Sequence, residues 1–268
     1  MVALVPVALP EPKDELLPRS PLRLVGFQLR HTPTETVQEL SVGLAAQQRL
    51  GGQAIWRLEP IQSQTLSVRG GLGQPGLSQS IQVQPTGWRL TAEDSTATVA
   101  ISADSVGLEA TSYPGWPVFR QAIDALIRLC AEVTHPAAEL RLGLRYINRL
   151  EDPAVTTPTD WRRWIDSRVL GLLLHQISDG ILAAQEQLDV RLDDGSRATI
   201  QHGFLRDQAS GRWAYLMDFD TYREGARPFD AQAVRTAVEN LHRQVLQLFQ
   251  SMITPELYEY LRRDVNSS

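Results

Sequence analysis

Apolar and polar residues alternate most cleanly along Arg141–Leu150. An extended chain there puts Leu142, Leu144, Tyr146, Asn148 and Leu150 on one side and Arg141, Arg145 and Arg149 on the other. The segment therefore reads as a strand with an apolar face opposed to a basic stripe. Period-two patterning also predicts strands at Leu22–Arg30, Trp88–Ala92, Ala97–Ser102, Val106–Thr111, 182–192, 197–206 and 212–221. In the last of these Trp213, Tyr215, Met217 and Phe219 alternate with Ala214, Leu216, Asp218 and Asp220, as a sheet with one buried face requires. Ala54–Glu59 and Thr65–Arg69 read as two short strands around a turn at Pro60.

Helical spacing appears between these runs. Thr34–Gln48 would turn Val37, Leu40, Leu44 and Ala45 inward, and Pro117 opens a helix whose stripe is Phe119, Ile123, Leu126, Ile127, Cys130 and Val133. Thr159 or Asp160 suits the cap of a short helix carrying Trp161, Trp164 and Ile165. A long helix with Ala233, Val234, Ala237, Leu241, Val245, Leu248, Phe249 and Met252 inward ends at Thr254-Pro255, before a last short one through Leu261.

This order predicts an α+β fold of two β-meander-plus-helix units with mainly antiparallel sheets. Residues 1–21 hold five prolines and read as an extended arm; 22–152 form the first unit and 153–268 the second, with one continuous domain as the alternative. The Pro/Thr-rich passage 152–159 is the candidate boundary, and Gly70–Gly76 reads as a flexible loop, since no helix follows to make it a phosphate cradle.

Composition is that of an ordinary globular chain, long enough to bury a core without staples. Cys130 is the sole cysteine, so no internal disulfide forms, and its place in an apolar stripe predicts an inert thiol. No basic residue precedes the apolar Met1–Pro10 run and no apolar stretch spans a bilayer, so a cytoplasmic protein without membrane contact is expected. A net charge of −5 disfavours nucleic acid. Lys13 is the only lysine, so positive charge is nearly all guanidinium, which suits planar, bidentate partners such as carboxylates and phosphates.

Two sets of residues carry candidate chemistry. Arg141, Arg145 and Arg149, with Tyr146 and Asn148 on the opposite face, would bind an extended or acidic partner; the plainer reading pairs the arginines with neighbouring acids. Asp218 and Asp220 share a strand face, with Asp193 and Asp194 in a nearby turn, and could serve a hydrolase or nucleotide-processing site. The plainer reading there is a solvated strand face and an aspartate-rich turn. The five histidines lack metal-ligand spacing and no nucleophile elbow occurs, so neither metal nor cofactor is expected.

The strand LGLRYINRL, preceded by SYPGWPVF and a helix, and the ending FQSMITPELYEYL resemble a family of sporadically distributed bacterial proteins of about this length, described by its LRYIN-type strand. Leu144 to Asn148 carry the likeness, which extends over most of residues 20–262. The resemblance implies the fold, a bacterial cytoplasmic setting and an accessory role, and brings no catalytic residues. Together these readings lead to a noncatalytic protein-binding component, antitoxin-like or defence-associated, whose partner is encoded by a neighbouring gene; a homodimer through an exposed edge strand is also compatible.

Overall fold

The computed structural model describes residues 9–51, 55–69, 78–175, 177–207 and 211–264, and the side chains of all of these except 63–69, 78–85 and 179. Among the described residues nine strands form one antiparallel sheet: β1 (Leu22–His31), β2 (Trp56–Arg69), β3 (Ser78–Ala92), β4 (Ala97–Ser102), β5 (Ser105–Ala110), β6 (Ala138–Glu151), β7 (Ala184–Arg191), β8 (Arg197–Arg206) and β9 (Trp213–Pro228). Their spatial order is β2-β3-β4-β5-β1-β6-β9-β8-β7. The helices are α1 (Leu40–Leu50), α2 (Trp116–Leu129), the single-turn α3 (Ser167–Leu170), α4 (Ala231–Met252) and α5 (Pro255–Arg262). The fold is α+β. Of the described helices, none is long and apolar enough to cross a membrane.

Strand β6 is extended over its whole length and lies mid-sheet, hydrogen-bonded to β1 on one side and β9 on the other. The meander-then-helix order recurs in both halves, but only loosely as two units. The sheet is continuous through β6 and β9, so the 152–159 passage leads between strands of one sheet.

One face of the sheet buries Val25, Phe27, Leu142, Leu144, Met217 and Phe219, with α4 packed on β6 and β9 and α2 packed on α4. Their burial follows the strand alternation, and α4 contributes Val234, Leu241, Val245 and Phe249 from a 3.6-residue stripe. Ala233, expected inward, is exposed at the first turn, where Asp230 caps the helix by accepting from the Ala233 N–H. The described part of the arm, residues 9–21, lies across α4 and α5. Lys13 exchanges backbone hydrogen bonds with the Gln250 side chain, Glu15 meets Tyr258 and Arg262, and the Arg19 N–H donates to the Leu261 carbonyl.

Several expectations are corrected. The 34–48 helix is split: a 3-10 turn at Glu35–Gln38 precedes α1, and this break resets the helical phase. Val42, Ala46 and Leu50 therefore face inward, whereas Leu40 and Leu44 are about half exposed (55% and 50%). Gly43 lets α1 approach β3 closely, since a Cβ there would sit 2.8 Å from the Trp88 ring. The two short strands around Pro60 are one strand with a register shift at Ile61/Gln62. Proline is tolerated because β2 is a sheet edge. The short helix is a 3-10 turn at Pro158–Arg163 capped by Thr157, not Thr159 or Asp160, with Asp160 completing a capping box. Gly70–Gly76 lies outside the described residues.

Candidate functional site

The sheet separates the five residues expected to bind together. Alternation along β6 sends Arg141, Arg145 and Arg149 to the face that no described helix covers and Tyr146 and Asn148 to the face under α4.

On the open face each arginine has an acidic partner. Arg141 Nη2 donates to Asp220 Oδ2 at 2.8 Å, and its Nη1 donates to Gln28 Oε1 at 3.1 Å. Its guanidinium also lies 4.6 Å from the Tyr222 ring centre and folds back over Gly143, where a Cβ would sit 2.7 Å from Nη1. Arg145 reaches Asp218 with two hydrogen bonds, one of them 2.9 Å from Nε to Oδ1. Arg149 bridges Asp207 (2.9 Å) and Glu151.

The basic stripe and the acid pair Asp218 and Asp220 are thus one lattice of alternating charge: the arginines pair with neighbouring acids, and Asp218 and Asp220 are partly buried ion-pair partners rather than a solvated strand face. Asp220 and Asp218 of β9, placed by the β6–β9 ladder, pair with Arg141 and Arg145, while Asp207 and Glu151 pair with Arg149. Burial raises the Asp220 carboxyl above its usual range, with Arg141 and Arg145 opposing. The Arg145 guanidinium is held up by its hydrogen bonds to Asp218.

Asp193 and Asp194 do not join this lattice. Asp194 caps the β7–β8 turn by accepting from the backbone N–H and hydroxyl of Ser196, and it lines a depression with Arg223 and Asp230 beside the start of α4. Its neighbour Asp193 is exposed in the same turn. The four aspartates therefore do not make one acid cluster, because the turn is pinned to α4 through Ser196 and Gln244. Among the described residues no group of three or more His, Cys, Asp or Glu side chains is placed to hold a metal ion. Burial pushes the Cys130 thiol up to about 12, which leaves it a buried small hydrophobe.

Tyr146 and Asn148 instead line a cavity of about 390 Å³ between α4, the start of α2 and the arm. His242, on the inward stripe of α4, stacks on Trp116 with ring centres 3.8 Å apart and planes 9° apart. Its Nδ1 is 3.0 Å from the Tyr146 hydroxyl, which is 3.3 Å from that of Tyr113. Trp116 is oriented by donating from Nε1 to Glu239 Oε2 at 3.0 Å. His242 Nε2 points at Asp14 of the arm, 3.6 Å away and just beyond hydrogen-bond length. His242, Trp116, Tyr113 and Asp14 do not stand out in the sequence as site residues. The signals that could have found them are a histidine inside an apolar helical stripe and the Tyr113–Trp116 segment ahead of α2.

No family model matches the chain, and no curated protein matches it either.

Burial lowers the His242 imidazole to about 4, against the opposing pull of Asp14, and raises the facing Tyr146 and Tyr113 hydroxyls. The unfolded chain takes up this proton near 6.5, so between about 6.5 and 4 the unfolded state binds more protons and stability rises with pH. As pH falls through that window the protein should lose roughly 2–3 kcal/mol through this group. Urea midpoints at pH 7, 5 and 4 check this: His242→Phe should flatten the decline relative to wild type, and an equally steep decline would exclude His242 as its source.

Proposed function

We propose that this chain is a noncatalytic protein-binding component of a bacterial accessory system, antitoxin-like or defence-associated, acting in the cytoplasm. Its partner, the product of a neighbouring gene, docks on the open face of the sheet. The observation that carries the reading is a concavity of about 700 Å³ on that face, spanning β3, β4, β5, β1, β6 and β9, with no described helix over it.

Three glycines floor it on adjacent strands: Gly107 of β5, Gly26 of β1 and Gly143 of β6, with Gln28 opposite both Gly107 and Gly143. Glycine inside a strand weakens the strand, and it commonly marks a place where another chain approaches closely. A Cβ at Gly26 or Gly107 would meet nothing nearer than 3.5 Å, so internal packing does not demand glycine at either position.

The rim supports a protein partner over a polyanion. Arg141 and Arg145 stand beside Asp220 and Asp218, so a phosphate backbone would meet carboxylates as often as guanidinium groups. A protein surface carrying both signs of charge can match such a lattice, and complementarity of this kind sets register and specificity more than raw affinity. The sporadic occurrence of the bacterial proteins that share the LRYIN-type strand agrees with an accessory role.

The test is titration calorimetry with the purified product of the adjacent gene. Gly107→Val fills the floor without touching a charge, and Arg145→Glu reverses one lattice point. Each should weaken binding at least about tenfold, with the melting temperature of Gly107→Val unchanged. Exchanging the pair, Arg145→Asp with Asp218→Arg, should restore stability and not binding. Wild-type affinity in all three variants would sink the proposal.

A further inference from the structure

The cavity beneath the arm is separate from the open face and is not needed by the docking proposal. Its volume of about 390 Å³ lies within the range of small-molecule sites, and Tyr113, Trp116, Tyr146 and Phe249 give it aromatic walls. Its charged lining is of one sign: Asp14 and Glu15 from the arm contribute carboxylates, and no arginine or lysine lines it among the described residues. Glu15 is engaged with Tyr258 and Arg262, which leaves Asp14, 61% exposed, as the carboxylate at the mouth.

His242 supplies the second, independent observation. The residue is 3% exposed and its Nε2 has no hydrogen-bond partner among the described residues, although a buried polar atom ordinarily has one. If Nδ1 carries the proton it donates to the Tyr146 hydroxyl, which in turn donates to Tyr113, and Nε2 is left as a bare acceptor 3.6 Å from Asp14. The Asp14 carboxylate at the mouth and His242 Nε2 just behind it are then two acceptors side by side, and the walls offer π faces.

We propose that this cavity binds a small organic amine, with its ammonium group between Asp14 and His242 Nε2 and its apolar body against Tyr113, Tyr146 and Phe249. An ammonium donates to both acceptors, selects the Nδ1–H tautomer and gains from the aromatic faces. An anion would meet the Asp14 carboxylate with no compensating cation. A neutral hydrocarbon would bury Nε2 still unpaired.

The expected result in titration calorimetry on the full chain is one-to-one binding of at least one of phenethylamine, tyramine and tryptamine, with Kd below about 1 mM. The anionic analogue 3-phenylpropionate should not bind. Asp14→Asn, at an exposed position on the arm that leaves the core intact, should weaken the amine at least tenfold. Nitrogen-15 spectra of the histidine rings should show the His242 Nε2 resonance moving as amine is added. Absence of binding by all three amines at 10 mM, equal binding of 3-phenylpropionate, or unchanged affinity in Asp14→Asn would overturn the assignment.

Discussion

Arg223→Ala should destabilise the protein by about 3–5 kcal/mol, the range for removing one partner of a buried ion pair. Glu139, at the start of β6, is only 1% exposed and accepts two hydrogen bonds from the Arg223 guanidinium of β9, at 2.6 and 2.7 Å. Without Arg223 the carboxylate stays in the interior with nothing to offset its lost hydration. Both residues belong to the ladder that joins the two halves of the sheet, so the loss should appear as cooperative unfolding. Urea denaturation checks it: the midpoint should fall with an unchanged slope. Glu139→Leu combined with Arg223→Met should recover most of the stability, because the penalty comes from an orphaned charge rather than from the loss of an attractive pair. A single-variant cost below about 1 kcal/mol would show that water reaches Glu139.

Trp161→Ala should cost a similar amount, about 3–5 kcal/mol, by the different route of an unfilled cavity. Trp161 is fully buried and packs on Tyr215 of β9 with ring centres 5.3 Å apart. It anchors the Pro158–Leu170 segment, which is tied to the end of α4 by the Ile165–Ile253 bridge and by the Asp166 N–H donating to the Met252 carbonyl. Its indole Nε1 has no hydrogen-bond partner among the described residues. Trp161→Phe keeps an aromatic ring on Tyr215 and removes that orphan donor, so it should cost under about 1.5 kcal/mol. Thermal unfolding of the two variants separates the effects. Equal losses would mean that the N–H is satisfied, and that the indole contributes more than ring volume.

The strands β4 and β5, the helix α2 and the extended course of β6 were all legible from periodicity, because one face of each is set against a core and the repeat of 2.0 or 3.6 residues survives in the sequence. The phase of α1 was not legible. Val37 and Leu40 fit one continuous helix by spacing, but the Glu39 backbone is extended and rotates α1 relative to the turn before it. Pro60 looked like a turn because proline usually excludes a central strand, and only the position of β2 at the sheet edge removes that objection.

The candidate site divides in the same way. Alternation alone put Arg141, Arg145 and Arg149 opposite Tyr146 and Asn148. What each group meets depends on chain far away: Asp218 lies 73 residues beyond Arg145 and His242 lies 96 beyond Tyr146. No local pattern encodes that the acids of β9 fall in register with the arginines, or that the arm returns to set Asp14 beside His242.

By itself the amino-acid order determined which residues face in and which face out along β4, β5, β6 and α2, because side-chain direction is a property of backbone geometry over a few residues. Only the tertiary structure decided that the basic stripe is charge-balanced, that the two aspartate pairs lie apart, and that an aromatic cavity opens beneath the arm beside an imidazole nitrogen with no hydrogen-bond partner among the described residues. Those outcomes depend on strand register and on the packing of segments distant in the chain, which are set by the free energy of the whole assembly rather than by any one stretch of it.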